Sequence, residues 1–185
     1  MPGLDAPTLD TARLRLRPLL DTDTSALFEF FCDPRVMRYW STPPWTGIEQ
    51  AEAFVARSDA MLRDGSALRL GIERKADARL IGQCTLFDLS ASNRRAEVGY
   101  SMHAAAWGRG FMHEALSALL EHGFGPLGLH RVEADIDPRN AASARSLERL
   151  GFVREGLLRE RWIVAGEVSD SALYGLLARE WRARL

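Results

Sequence analysis

Two short stretches in the second half of the chain hold the residues best placed to do chemistry. The first is Glu97-Val98-Gly99-Tyr100-Ser101-Met102-His103-Ala104-Ala105-Ala106-Trp107-Gly108-Arg109-Gly110-Phe111. It alternates like a strand, turns, passes through a Gly-x-Gly and enters a helix. Glycines let backbone approach a ligand closely. The first turn of a helix leaves N–H groups without intrahelical partners, and the helix dipole favours negative charge there. Arg109 adds a mobile cation. This spacing suits capture of an anion such as a diphosphate, although an ordinary turn before a helix has the same composition. No Gly-Lys-Ser/Thr follows, which excludes a P-loop, and His113 stands where a dinucleotide fingerprint needs its third glycine. The second stretch, Asn140-Ala141-Ala142-Ser143-Ala144-Arg145-Ser146-Leu147-Glu148-Arg149-Leu150-Gly151-Phe152, reads as a short helix led by Asn and ended by Gly.

Other chemistries find little support. Cys32 and Cys84 are far apart and form no C-x-x-C, so free thiols are expected. His113-Glu114-Ala115-Leu116-Ser117 starts like a zinc-protease motif but ends in Ser, so no metal is expected. With 24 basic and 25 acidic residues, the net charge is −1 and no basic cluster stands out. Nucleic-acid binding is therefore not expected. No apolar run is long enough for a membrane helix. Met1–Asp10 lacks the basic and apolar regions of a secretory signal, so a cytoplasmic location is expected.

The elements that must position these residues follow from periodicity. The chain has 185 residues, 46% of them hydrophobic, enough for one domain with a core of its own. Arg13–Arg17 alternates as an opening strand. Thr22–Phe31 predicts a helix capped by Asp21 or Thr22, and Asp33–Trp45 a loop or broken helix. Gly47–Asp64 has helical spacing. Leu68–Ile72 and Leu80–Leu86 predict a hairpin around Lys75-Ala76-Asp77, followed by a strand over Arg95–Met102. Gly110–Phe124 predicts a helix with one apolar face, His130–Asp137 a strand, and Asn140–Leu150 a short helix. Phe152–Val164 and Val168–Leu177 predict two closing strands joined through Ala165-Gly166. The order implies an α+β (mixed α/β) fold with a mostly antiparallel sheet and one local strand–helix–strand unit.

In this order and spacing the two stretches resemble the GNAT superfamily of acyl-CoA-dependent N-acetyltransferases. The closer resemblance is to its RimJ/RimL branch of ribosomal-protein N-terminal acetyltransferases. The first stretch looks like the family's Q/R-x-x-G-x-G/A pyrophosphate loop, and the second like its Asn-led helix ending in Gly-Phe. Leu9–Arg17, Arg38-Tyr39-Trp40 and Ser169–Leu177 are also similar, so the resemblance runs from about Leu9 to Trp181. It implies a twisted central sheet flanked by helices and splayed at the cofactor strand, with acetyl-CoA as acyl donor and no metal. Backbone amides of Trp107, Gly108, Arg109, Gly110, Phe111 and Met112 would hold the CoA pyrophosphate. Trp107 stands where Gln or Arg is usual and Met112 where Gly or Ala is usual, so a side-chain contact at 107 is expected to be lost. Main-chain groups of Tyr100 and Met102 would pair with the pantetheine arm like an added strand, and Asn140 would hydrogen-bond to the pantetheine. Arg145 would either reach the CoA phosphates or lie on a solvated helix face.

An amine that attacks a thioester must be uncharged. A lysine-like amine has a pKa of about 10.4 and an α-amine of about 7.7–8.0, so a base helps the former more. Glu97 is the candidate base, direct or through water; the alternative is a structural carboxylate paired to Arg94 or Arg95. Many relatives carry a Tyr seven residues after the Asn, where this chain has Leu147. Ser143 shares a helix face with Asn140 and Leu147. It either donates to the leaving thiolate or packs at a helix–sheet seam. His103 either titrates in the site or occupies an exposed turn. Phe31, Tyr39 and Trp40, with Trp45, either line an acceptor site or cap the core. The resulting expectation is transfer from acetyl-CoA to a primary amine in a direct ternary complex, the amine being a protein N-terminal α-amine. A small amine (polyamine or antibiotic) as acceptor, or a catalytically silent acyl-CoA-binding module, is the alternative. Expected partners are acetyl-CoA and an amine, with no nucleic acid and no membrane, in a monomer or homodimer.

Overall fold

A computed structural model describes residue 4 and residues 7–184; residues 1–3, 5 and 6 of the segment read for a secretory signal lie outside these. Strands form where apolar residues alternate. In β2 (Leu14–Arg17), Leu14 and Leu16 are fully buried while Arg15 is exposed. β1 (Leu9–Asp10) precedes it, followed by β3 (Leu68–Arg74), β4 (Arg79–Ser90), β5 (Arg95–Met102), β6 (Arg131–Ile136), β7 (Val153–Val164) and β8 (Glu167–Leu177). They form one eight-stranded sheet in the order β1-β2-β3-β4-β5-β6-β8-β7. Every neighbouring pair is antiparallel except β5–β6, which is parallel.

Helices cover both faces. The parallel pair is connected through α4 (Phe111–Phe124), whose Phe111, Ala115, Leu116, Leu119, Leu120 and Phe124 are buried, as the helical period predicts. α5 (Ala141–Leu150) adds Leu147 and Leu150 to the same core, and α6 (Ala178–Arg182) adds Trp181. The opposite face carries α1 (Thr24–Phe31), α2 (Pro34–Met37) and α3 (Glu49–Asp64), packed around Leu27, Phe30, Phe31, Phe54 and Val55. β1 and α6 are not foreseen by the periodicity, since each is too short to show one. The first helix begins at Thr24 rather than Thr22, behind a 3-10 turn over Asp21–Asp23. Neither Asp21 nor Thr22 caps it. Asp23 occupies the cap position but bonds the Arg17 guanidinium at 2.7 and 2.9 Å and the Leu20 N–H at 2.8 Å instead. The broken helix is real: Asp33 accepts from the Arg35 N–H and starts the single turn of α2.

The pairing of β5 with β6 is what opens the sheet. It covers only Arg95↔Arg131, Ala96↔Val132 and Glu97↔Glu133, while β5 runs on to Met102 and β6 to Ile136. The last pair sets two carboxylates directly opposite each other, an arrangement that disfavours continued pairing. Beyond Glu97, β5 has β4 on one edge and no strand on the other.

Candidate active site

The edge left bare by the splay carries main-chain donors and acceptors in a readable order. The His103 N–H donates to Ile81 O on β4 at 2.9 Å. N–H and C=O of one strand residue point the same way and alternate along the strand. The main-chain groups of Ser101 and Gly99 therefore face β4, and those of Met102 and Tyr100, beyond the pairing with β6, face the open edge. An extended ligand laid there would find a strand's complement of partners. One acceptor is already engaged: the Trp107 indole N–H donates to Met102 O at 2.8 Å. This is the work of the residue that replaces the family's Gln or Arg. Half of its surface is exposed (49%), and it closes the turn back onto β5.

The Gly-x-Gly takes the conformation its composition implies. Gly108 and Gly110 have φ of +73° and +76°, a region that side chains rarely adopt. Gly110 is the residue before α4, and the Glu114 N–H makes the first intrahelical bond to its carbonyl at 3.2 Å. The N–H groups of Phe111, Met112 and His113 precede that bond and converge at the positive end of the helix dipole. The Trp107 N–H does not join them. It donates to Ala104 O at 3.2 Å, so the donor set begins after the expected first position. Phe111 and Met112 contribute amides only, the Phe111 ring being buried in the core. Arg109 is exposed and its side chain makes no ion pair among the described residues.

Sequence reading missed what holds this loop. Arg13 donates to Arg109 O at 2.9 Å and to Glu114 Oε2 at 2.6 Å, and its guanidinium lies 4.6 Å from the Phe111 ring centroid. Thr11 Oγ1 donates to Glu114 Oε1 at 2.6 Å. Glu114, read above only as part of an incomplete metal motif, ties the helix start to β2. The signal was an acidic residue in the first turn of a helix. Nothing in sequence spacing showed that its partners would be Thr11 and Arg13.

At the splay, α5 meets β5. Asn140 caps α5, its Oδ1 accepting from the Ser143 N–H at 3.1 Å, and its Nδ2 donates to no described residue. Ser143 is buried at the helix–sheet seam, with Oγ 2.6 Å from the Tyr100 hydroxyl. Tyr100 was read for its main chain alone; its phenol enters the site as well. Burial pushes the Tyr100 pKa up to about 12, with the Ser143 hydrogen bond acting in the opposite sense. Leu147 is fully buried core and puts no polar group here. Arg145 is exposed on the outer face of α5, as a solvated helix residue would be.

Glu97 points to the other face of the sheet and makes no ion pair among the described residues. Its expected structural partners are elsewhere: Arg95 pairs with Glu133, and Arg94 is exposed at the turn before β5. Burial, reinforced by Asp135, Asp88 and Glu133, raises the Glu97 pKa from 4.5 to about 7, against a smaller opposing pull from Arg161.

The aromatic candidates separate. Phe31 is 1% exposed and sits within 5.5 Å, centroid to centroid, of Phe30, Trp40, Trp45 and Phe54. It is core, not a lining residue, and the correction follows from its position on the inward face of α1. Trp40 is half-buried on the rim of that cluster. Tyr39 is brought to the β6–α5 connection, its ring centroid 5.2 Å from the Arg38 guanidinium and 6.0 Å from that of Arg139. His103 is held by structure: Nδ1 accepts from the Ala105 N–H at 3.0 Å, and Nε2 lies 3.2 Å from Glu29.

A sheet splayed at a parallel pair, with a glycine loop and helix N-terminus at its mouth, defines a class of acyl-CoA-dependent transferases. The comparisons agree. Residues 13–153 match the acetyltransferase (GNAT) domain family. An N-acetyltransferase of Bacillus licheniformis is 36% identical over 94% of this chain and 98% of its own. The [ribosomal protein uS5]-alanine N-acetyltransferase of Escherichia coli is 26% identical over 94% of this chain and 92% of its own. The solved structure of Mycobacterium smegmatis RimJ with CoA-disulfide superposes with a TM-score of 0.86 at 27% identity, covering 97% of this chain and 91% of that one. The chain belongs to the GNAT family and is an acetyl-CoA-dependent N-acetyltransferase.

Proposed function

We propose that this enzyme acetylates the α-amine at a protein or peptide N-terminus, with Glu97 as base and the Tyr100–Ser143 pair as proton source for the leaving sulfur. The observation that carries the reading is the position of Glu97. It is a carboxylate without an ion-pair partner among the described residues, on the strand that bounds the splay, with a pKa of about 7. A base of that pKa is half ionised at neutral pH and suits proton removal from an α-amine of pKa about 7.7–8.0.

Acetyl-CoA supplies a thioester carbonyl carbon as electrophile. The amides of Phe111, Met112 and His113, with Gly108 and Gly110 shaping the approach, hold the diphosphate. The open-edge groups of Tyr100 and Met102 hold the arm that carries the thioester. One open-edge N–H faces the negative charge that develops on the carbonyl oxygen. Glu97 takes a proton from the nitrogen as the N–C bond forms and the C–S bond breaks. The Tyr100 hydroxyl, oriented by Ser143, returns a proton to sulfur and is re-protonated from solvent. The thiolate, with a pKa near 8.5, leaves without much help, so this donor assists rather than controls the rate. The similarity to the uS5-alanine enzyme supports an N-terminal acceptor over a free small amine.

A thiol-release assay with acetyl-CoA against Ala-, Ser- and Met-initiated peptides and a polyamine panel tests the reading. Turnover of peptides above polyamines is expected. Turnover of polyamines alone would transfer the enzyme to small-amine chemistry, and CoA binding without turnover would make it a binding module.

A further inference from the structure

Arg69, on β3, projects to the face of the sheet covered by α1–α3 and has no anion. Its Nη1 donates to Ser58 Oγ at 2.9 Å and its guanidinium lies 4.0 Å from the Phe54 ring centroid. Among the described residues no carboxylate pairs with it, and the charge acting on it is that of Arg57, of like sign. Other half-buried arginines differ. Arg17 is shared by Asp23 and Glu73, and Arg131 by Glu133 and Glu155. A cation withdrawn from water without a counter-charge is unfavourable unless something else uses it. Burial, with Arg57, lowers its pKa from 12.5 to about 10, which leaves it charged at neutral pH.

The floor between Arg69 and β5 is polar and incompletely bonded. Thr85 stands directly opposite Arg69 on β4, and Gly99 directly opposite Thr85 on β5. Thr85 and Gln83 are 6% and 1% exposed. Thr85 Oγ1, Gln83 Oε1 and Arg69 Nε have no hydrogen-bond partner. Buried polar groups are almost always bonded, so three unpartnered polar atoms around Arg69 set this patch apart. Glu97 lies on this same face, two residues before Gly99. Two strand spacings and one two-residue step set its Cα about 12 Å from that of Arg69.

We propose that Arg69 determines acceptor specificity by taking a carboxylate carried on the second or third residue of the acceptor peptide while the α-amine lies beside Glu97. An extended peptide advances about 3.3–3.6 Å per residue, so a Glu side chain at that remove spans the distance. Thr85 lies between Arg69 and Gly99, and Phe87, directly opposite Glu97, completes the floor towards the base. A free amino acid, whose amine and carboxylate share one carbon, is too short. This inference rests on the N-terminal acceptor reading.

The test compares two amidated peptides, Ala-Ala-Glu-Ala and Ala-Ala-Gln-Ala, together with the Ala-Glu-Ala-Ala and Ala-Gln-Ala-Ala pair. The wild-type enzyme is expected to favour Glu over Gln at least tenfold in kcat/KM in one pair, mainly through KM. In Arg69→Gln the ratio is expected to fall towards one, and in Arg69→Lys to recover in part. A wild-type ratio near one in both pairs, or a ratio that survives in Arg69→Gln, overturns the proposal. Should no peptide be turned over, calorimetric binding of the same peptides to the CoA-loaded protein separates the two readings. Tighter binding of the Glu peptide by wild type and not by Arg69→Gln supports the Arg69 role while N-terminal acetylation fails. Equal or absent binding overturns the Arg69 role.

Discussion

Glu97 illustrates how much one side chain's surroundings decide. Its type and place in the strand suggested a base or a paired structural carboxylate, and the two make opposite predictions. As a base it must lose its proton, so kcat/KM is expected to rise through pH about 7 in wild type. Glu97→Gln is expected to remove that limb and to lower kcat roughly 100-fold, with acetyl-CoA affinity retained. The sign of the stability effect is also fixed. A carboxyl whose folded pKa is raised from 4.5 to about 7 favours folding while protonated, and this stability is lost as pH rises between those values. Glu97→Gln is therefore expected to stabilise the protein at pH 8, by about 1 kcal/mol after allowing for solvent screening, and to change little at pH 4. Chemical denaturation at the two pH values checks it; destabilisation at pH 8 would return Glu97 to a paired structural role. Tyr100→Phe is expected to lower kcat by about tenfold or less, because a thiolate of pKa near 8.5 departs without full protonation.

At the scale of elements, the loop and the open strand edge are separate devices. Replacing Gly108 by Ala meets nothing within 4 Å, so the penalty is conformational, about 1–2 kcal/mol. It is expected to appear as weaker acetyl-CoA binding, measured as a higher KM, if the turn relaxes rather than the fold. Glu114→Ala cuts the ties to Thr11 and Arg13 and is expected to raise the acetyl-CoA KM by about tenfold. The strand edge predicts an alternating pattern of amide protection. Tyr100 and Met102 are expected to exchange faster than Val98, Gly99 and Ser101 in the free protein and to slow selectively when CoA is added. Hydrogen exchange resolved by residue measures this, and uniform protection along β5 would exclude added-strand binding.

The whole molecule couples these parts through one sheet. α4 carries the N–H groups of the proposed anion site at its first turn and the core residues Leu116, Leu119 and Leu120 behind them. Leu119→Ala, at a fully buried position, is expected to reduce stability by about 2–5 kcal/mol and the melting temperature by roughly 5–15 °C. The same variant is expected to shift the acetyl-CoA KM far less than Glu114→Ala does. No described helix is long and apolar enough to cross a membrane.

Local chemistry was legible in the sequence. Alternation placed β5 from Arg95 to Met102, helical period placed α4 to within one residue, and the paired glycines marked the turn between them. Those features depend on neighbours a few positions away, so the chain's own order encodes them. What the tertiary structure decided was long-range: which strand edge stays bare, that Glu114 serves Thr11 and Arg13, that Tyr100 reaches Ser143, and that Phe31 is core. It also set Glu97 and Arg69 on one face without an ion-pair partner among the described residues. Burial and pairing depend on what the rest of the fold brings near, and no spacing along the chain reports that distance.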